Sequence, residues 1–298
     1  VKILFFGTPE FAIPSLKRLS KEHQIVGVVT QIDRPKGRGL KVAKPPIAFT
    51  AERLNRRLFQ PKKIESSLIE ELEPEIIVVV AYGKILPKEI LKIPKMGCIN
   101  LHPSLLPKLR GPAPIHWAII KGEKTTGVTV CEMAEEVDSG RIIAQEAVEI
   151  ADDDNAESLS TKLSEKGAEV LSEALKMIEE KKVEPKPQEG EPSYAPKIGS
   201  LKIDWKKPNT EVFNLIRGLS PHPSAYTHYD RKRLKILKAI LREERAGPAR
   251  IVSVKKEGLL VGCREGSLLI TKVHPENKKP MSAFSWWNGV RKKCLSFD

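Results

Sequence analysis

Apolar runs recur through the first half of the chain, at 2–6 after the leading Lys2, at 25–29 and at 76–81, and the stretches between them carry apolar residues at helical spacing. After residues 2–6 the chain turns at Gly7-Thr8-Pro9, and Phe11, Leu16 and Leu19 then mark one face of a helix. Residues 48–58, with Phe49, Leu54 and Leu58, predict a second helix, and residues 64–72 a third. An unbroken run such as 76–81 suits a central strand covered on both faces. Strands and helices in alternation predict an α/β fold with a doubly wound, mostly parallel sheet. NAD or FAD is not expected at the first turn, because the second and third glycines of GxGxxG are missing.

The stretch from Cys98 to Asp138 concentrates the polar exceptions. Cys98, Ile99 and Leu101 make a short strand, so Asn100 and His102 project from its same side. Three prolines and Gly111 forbid regular structure until about Pro112, where a helix through Trp117 and Ile120 begins. Asp138 follows the strand at 128–131 and precedes Ser139-Gly140, and a strand at 142–148 completes the frame. If these strands are neighbours, an amide, an imidazole and a carboxylate converge at one sheet edge. A carboxylate beside His102 is expected to raise its pKa and fix its tautomer. Asn100 could hold an oxyanion, and the nucleophile could be the substrate's own amine. Taken singly, His102 before a proline also fits a structural hydrogen bond, and Asp138-Ser139-Gly140 an ordinary turn.

Asp152, Asp153 and Asp154 precede an amphipathic helix that runs to about Glu180, and capping explains them better than a metal does. No metal is required. Residues 181–204, rich in proline at the start, read as a linker between a first domain at 1–180 and a second at 205–298. In the second, a short helix at 211–217 precedes runs at 225–229, 234–240, 250–255, 258–263 and 267–273, which predict a small OB-like β-barrel. Trp286 and Trp287 read as a packed cap on it rather than a base-stacking platform.

Charge separates the two parts. Residues 1–200 hold 30 Lys and Arg against 29 Asp and Glu, whereas residues 201–298 hold 21 against 9. A polyanion engaged by the last third is the implied partner, through Arg231, Lys232, Arg233, Lys235 and Lys238. A second basic stretch lies at 31–46, where Arg34, Lys36, Arg38, Lys41 and Lys44 oppose Asp33 alone. Four cysteines without CxxC spacing suggest neither zinc nor a disulfide framework. With no run of membrane-span length and no leader pattern, a cytoplasmic protein working as a monomer, without a membrane partner, is expected.

The string NLHPSLLPKLRGPAPIHWAI with EEVDSG downstream resembles the folate-dependent formyltransferase signature. Within that superfamily the chain is most similar to the methionyl-tRNA formyltransferase family, through FFGTPEFA at 5–12, TQIDRPKGRG at 30–39, VVAYGKILP at 79–87 and SYAPKI at 193–198. One departure is Pro103, where many relatives carry Gly. The resemblance implies a formyltransferase Rossmann-like domain and Asn100, His102 and Asp138 as the catalytic trio. It also implies a folate pocket at Tyr82, Gly83, Ile85, Ser104, Leu105, Leu106, Pro107, Arg110 and Gly111. The donor implied is 10-formyltetrahydrofolate, and the acceptor is the methionine α-amine on initiator tRNA. In the family, the arginine between two glycines, here Arg38, wedges at the first base pair of the tRNA. Two alternatives stay open: a formyltransferase acting on a small amine, and a non-catalytic RNA-binding protein on the same scaffold.

Overall fold

In the computed structural model, which describes residues 1–36, 41–290 and 295–298, the apolar runs form one seven-stranded sheet. Strand β1 (Lys2–Gly7) passes through a 3-10 turn at Glu10–Ala12 into α1 (Ile13–Glu22), which returns the chain to β2 (Gln24–Val29). A small hairpin, β3 (Arg34–Lys36) with β4 (Lys41–Ala43), precedes α2 (Pro46–Arg53) and the edge strand β5 (Leu58–Phe59). Then follow α3 (Ser66–Leu72), β6 (Ile76–Val80), α4 (Lys88–Leu91) and β7 (Cys98–His102). Every residue of β6 is buried, as its unbroken apolar sequence requires.

The helix expected at 48–58 is shorter than its sequence pattern. It stops at Arg53, because Asn55 takes φ 52 and turns the chain, and Leu58 then joins β2 as a sheet residue. Phe49, inside the helix, is exposed rather than part of the core.

Strands β5, β2, β1, β6 and β7 are mutually parallel in that order. After α5 (Pro114–Ile120), β8 (Thr125–Glu132) and β9 (Ile142–Glu149) extend the sheet antiparallel, with Asn100 opposite Cys131. The helix α6 (Ala156–Glu179) is capped as its sequence suggests: Asn155 Oδ1 accepts the Glu157 and Ser158 amides, each at 2.9 Å. Among the described residues no helix is long and apolar enough to cross a membrane.

The chain divides into two compact units. One comprises residues 1–114, 125–149 and 160–196; the other holds 115–124, 150–159 and 197–298. The segment read as the start of a linker lies along the first unit, where Lys186 bridges Ile142 and Tyr194 bridges Arg110.

In the second unit, the stretch from 197 onward forms α7 (Asn209–Gly218), β10 (Ala225–Tyr229), β11 (Lys232–Arg242), β12 (Ile251–Lys255), β13 (Gly258–Gly262) and β14 (Ser267–Pro275). A short β15 (Met281–Ser282) on β14 leads into α8 (Ala283–Asn288). The antiparallel order is β10-β11-β14-β13-β12. Residues 295–298 join its two edges, since Leu295 O accepts from Ile251 N at 2.7 Å and Asp298 N donates to His228 O at 3.0 Å. Inside lie Leu234, Ile236, Val261, Leu268 and Ile270, alternating with outward residues along their strands.

Candidate active site

Strand order reverses between β1 and β6, since β2 and β5 lie to one side and β7 to the other. Open α/β sheets receive ligands outside the carboxyl ends of strands at such a point. A cavity of about 610 Å³ opens there. Its wall takes Pro9 from beyond β1, Ala81, Tyr82 and Gly83 from beyond β6, and Asn100 and His102 from β7.

Asp138 reaches the same wall by an indirect route. Because β8 runs antiparallel to β7, its end at Glu132 lies level with Ile99, and the loop 133–141 must curl back over Asn100. It does: Asp138 Oδ1 accepts from Asn100 Nδ2 at 3.3 Å, and Oδ2 accepts the Gly111 amide at 2.8 Å. The same Oδ2 stands 3.5 Å from His102 Nδ1. On the other side of the ring, His102 Nε2 meets Leu109 O at 3.0 Å. A carbonyl only accepts, so Nε2 carries a hydrogen, and Nδ1 is the atom left to take or give a proton.

The sequence reading expected Asp138 to raise the His102 pKa, and the net direction is the reverse. Burial is the largest influence and lowers it, while Asp138 and the Leu109 carbonyl pull it only part of the way back. At neutral pH the imidazole is therefore uncharged and able to accept. Titrating histidine-labelled protein by NMR should show His102 changing charge below 6.5, and lower still in Asp138→Asn, which removes the largest upward pull. A titration above 6.5 would show that the carboxylate outweighs burial. The linked sign is fixed: a native pKa below the unfolded value means that stability falls as pH drops from 6.5 towards the native pKa.

Asp138 sits at φ 55, and the surrounding loop is held from outside. Gln188 Nε2 donates to Asp138 O and to Gly140 O, both at 2.8 Å. Its Oε1 accepts from Arg110 Nε at 3.1 Å and Nη2 at 2.7 Å. Gly140 is required by a close approach, since a Cβ there would lie 1.8 Å from Glu132 O. Gln188 lies inside a proline-rich stretch with no pattern of its own, so nothing in the sequence points to it.

The other expected pocket residues divide. Tyr82, Gly83, Ile85 and Gly111 line the cavity, with Ile85 78% exposed at its rim. Ser104, Leu105, Leu106, Pro107 and Arg110 do not line it. Thr129 Oγ1 donates to Ser104 O at 2.6 Å and accepts the Leu106 amide at 3.2 Å, while Gly127 leaves room for the Leu105 side chain. These residues pin the loop whose far end supplies Leu109 O and Gly111 N. The segment 193–195 braces that end: Ser193 Oγ accepts from Leu109 N at 2.9 Å, and Ala195 N donates to Arg110 O at 2.8 Å. Cys131 and Met133 line the cavity without having been singled out. The pairing of Cys131 with Asn100 was the available signal, because directly opposed residues share a sheet face. Burial pushes the Cys131 thiol up to about 12, which keeps it protonated and leaves the trio as the reactive groups.

Of the basic residues, Arg34 is exposed on β3, and Lys36 and Lys41 are paired in backbone register across the hairpin. Arg38 lies outside the described residues. In the second unit, Arg231 turns the β10–β11 hairpin at φ 61 and Lys232 is exposed beside it. Arg233 and Lys235 stand opposite His228 and Tyr226 in register, and the Arg233 guanidinium lies 3.7 Å over the Tyr226 ring. Lys235 Nζ donates to Pro223 O at 3.1 Å.

A formyl transferase family model matches residues 1–175, and a model of the formyl transferase C-terminal domain matches residues 199–291. A methionyl-tRNA formyltransferase of Thermodesulfovibrio yellowstonii is 49% identical over 96% of this chain and 95% of its own length. That of Caldanaerobacter subterraneus is 46% identical over 94% of each. Among solved structures, an N-formyltransferase from Helicobacter canadensis superposes with a TM-score of 0.71 at 22% identity, over 91% of this chain and 98% of that one. HypX from Aquifex aeolicus, solved with tetrahydrofolic acid, gives 0.66 at 22% identity, over 98% of this chain and 48% of its own. The methionyl-tRNA formyltransferase from Clostridium thermocellum gives 0.58 at 18%, over 82% and 95%. Those three likenesses show the fold, and the sequence identities show the kinship: the chain belongs to the methionyl-tRNA formyltransferase branch of the formyl transferase family.

Proposed function

We propose that the chain transfers the formyl group of 10-formyltetrahydrofolate to the α-amine of methionine esterified to initiator tRNA, in translation initiation. The observation that carries this reading is the meeting of Asn100, His102 and Asp138 at one cavity wall. Its 610 Å³ suits a ligand of folate size, and Ile85 and Val137 give its rim an apolar surface for an aromatic ring. An α-amine with a pKa of about 7.7 to 8.0 attacks only as the free base, its ammonium proton having gone to solvent; once its nitrogen bonds the formyl carbon it turns cationic, and an uncharged His102 accepts that proton at Nδ1. The imidazolium so formed is stabilised by the Asp138 carboxylate and can return the proton to the departing folate nitrogen. Asn100 Nδ2 has a second hydrogen, beyond the one given to Asp138, for the oxygen of the carbon under attack. The new C–N bond forms first, putting charge on the formyl oxygen, and the bond to the folate nitrogen then breaks as that nitrogen takes the proton, so no group of the protein changes covalently.

One chain supplies all three groups, so the reading takes a single cytoplasmic copy as the working unit. The test is to incubate the protein with 10-formyltetrahydrofolate and charged initiator tRNA and to assay N-formylmethionine; no product would sink the reading. Salt separates it from transfer to a small amine. Between 50 and 200 mM salt the affinity for tRNA should fall about tenfold, the loss expected for about two neutralised phosphates. A flat salt response would favour a small acceptor.

A further inference from the structure

The cavity wall at Tyr82 is sharply bent backbone, with Ala81 at φ 49 and Gly83 at φ 77. Such a bend persists only when its surroundings fix it. Here the Tyr82 carbonyl is held by two side-chain donors, Thr8 Oγ1 at 2.9 Å and Gln31 Nε2 at 2.8 Å. The approach is close: a Cβ on Gly83 would stand 2.7 Å from Gln31 Nε2.

Gln31 also begins the basic excursion at 31–46. Its own carbonyl accepts from Gln60 Nε2 at 2.9 Å, and the same nitrogen donates to Asp33 Oδ1 at 2.8 Å. Both hydrogens of the Gln60 amide are thus engaged, one on Gln31 and one on Asp33, in the stem that leads directly into Arg34 and β3. Asp33, Gln60 and Gln31 thus form one hydrogen-bonded chain that ends on the carbonyl shaping the cavity wall.

We propose that Gln31 and Gln60 are positioning residues that couple the basic excursion to the donor cavity, so that folate and tRNA strengthen each other's binding. The inference rests on the function proposed above, and the coupling must be reciprocal. Glutamines that were only scaffolding would lower both affinities in parallel and leave their ratio untouched.

The experiment measures the Kd of charged initiator tRNA with and without saturating tetrahydrofolate. In the parent chain tetrahydrofolate should tighten tRNA binding about fivefold. In Gln31→Met, and separately in Gln60→Met, the factor should fall close to one while each ligand still binds alone. Neither glutamine lines the cavity, and Gln60→Met carries the test if Gln31→Met fails to fold. Thr8→Val removes the other donor to Tyr82 and should weaken tetrahydrofolate while keeping the factor. A parent factor of one, or an undiminished factor in either folded glutamine variant, overturns the proposal. Equal loss of the factor in Thr8→Val would trace it to the carbonyl alone and overturn it too. A parent chain that forms N-formylmethionine but shows no coupling sinks this inference alone; one that binds neither ligand sinks the function with it.

Discussion

Replacing Asp138 by Asn is expected to lower kcat for formyl transfer by about two to four orders of magnitude, with the tRNA Kd within about twofold of the parent. The carboxylate does three things at once: it faces His102 Nδ1, it fixes Asn100, and it accepts the Gly111 amide. Only the first two concern the reaction. An Asn carboxamide can still accept from Gly111 N, so the loop keeps its anchor, but it carries no charge to stabilise an imidazolium. Asp138→Ala removes the anchor as well and leaves the Gly111 and Asn100 donors without their acceptor, at a cost of about 1–3 kcal/mol in stability. The pair of variants therefore separates chemistry from architecture. Turnover should fall in both, and the melting temperature mainly in Ala. Near-normal turnover in Asp138→Asn would remove the carboxylate from the mechanism, and a large change in tRNA affinity would show that the loop 133–141 contacts the acceptor directly.

How far the sequence was legible depended on the range of the forces at work. Strands β1, β2, β6 and β7 could be read because each is a short apolar run whose burial leaves no other solution. The barrel strands could be read from short runs that follow one another closely between 225 and 273. The end of α2 could not, because its helical apolar pattern continues past the point where Asn55 turns the chain. Asn100 and His102 share a side by strand periodicity alone, whereas Asp138 joins them only through the curl of 133–141. That curl depends on Gln188, about fifty residues away, and no local pattern announces it. The His102 pKa shows the same limit. A charged neighbour can be guessed from a motif, but the burial that outweighs it comes from the whole fold.

Trp286→Ala is expected to cost about 3–5 kcal/mol of stability, a large part of the roughly 5–15 kcal/mol typical of a folded domain. Trp286 is 6% exposed, and its ring meets Tyr229 edge-on at 5.2 Å and Phe297 at 6.3 Å. Trp205 stacks on the same Phe297 at 5.6 Å and donates its indole N–H to Thr227 Oγ1 at 3.0 Å. An aromatic cluster does accompany the tryptophan pair, as the sequence reading had not foreseen, yet it faces inward. It also joins α8 to residues 295–298, whose hydrogen bonds connect the two edges of the barrel sheet. Truncating Trp286 leaves a cavity that a ring of rigid aromatic neighbours cannot collapse to fill, which puts the cost near the top of the range. Urea denaturation should show the loss directly. Well below the transition, formyl transfer and tRNA affinity should stay near parent values, since the ring is not presented to solvent. The opposite pattern, intact stability with weakened tRNA binding, would mean that Trp286 turns outward to stack on a base and that the barrel closes by other contacts.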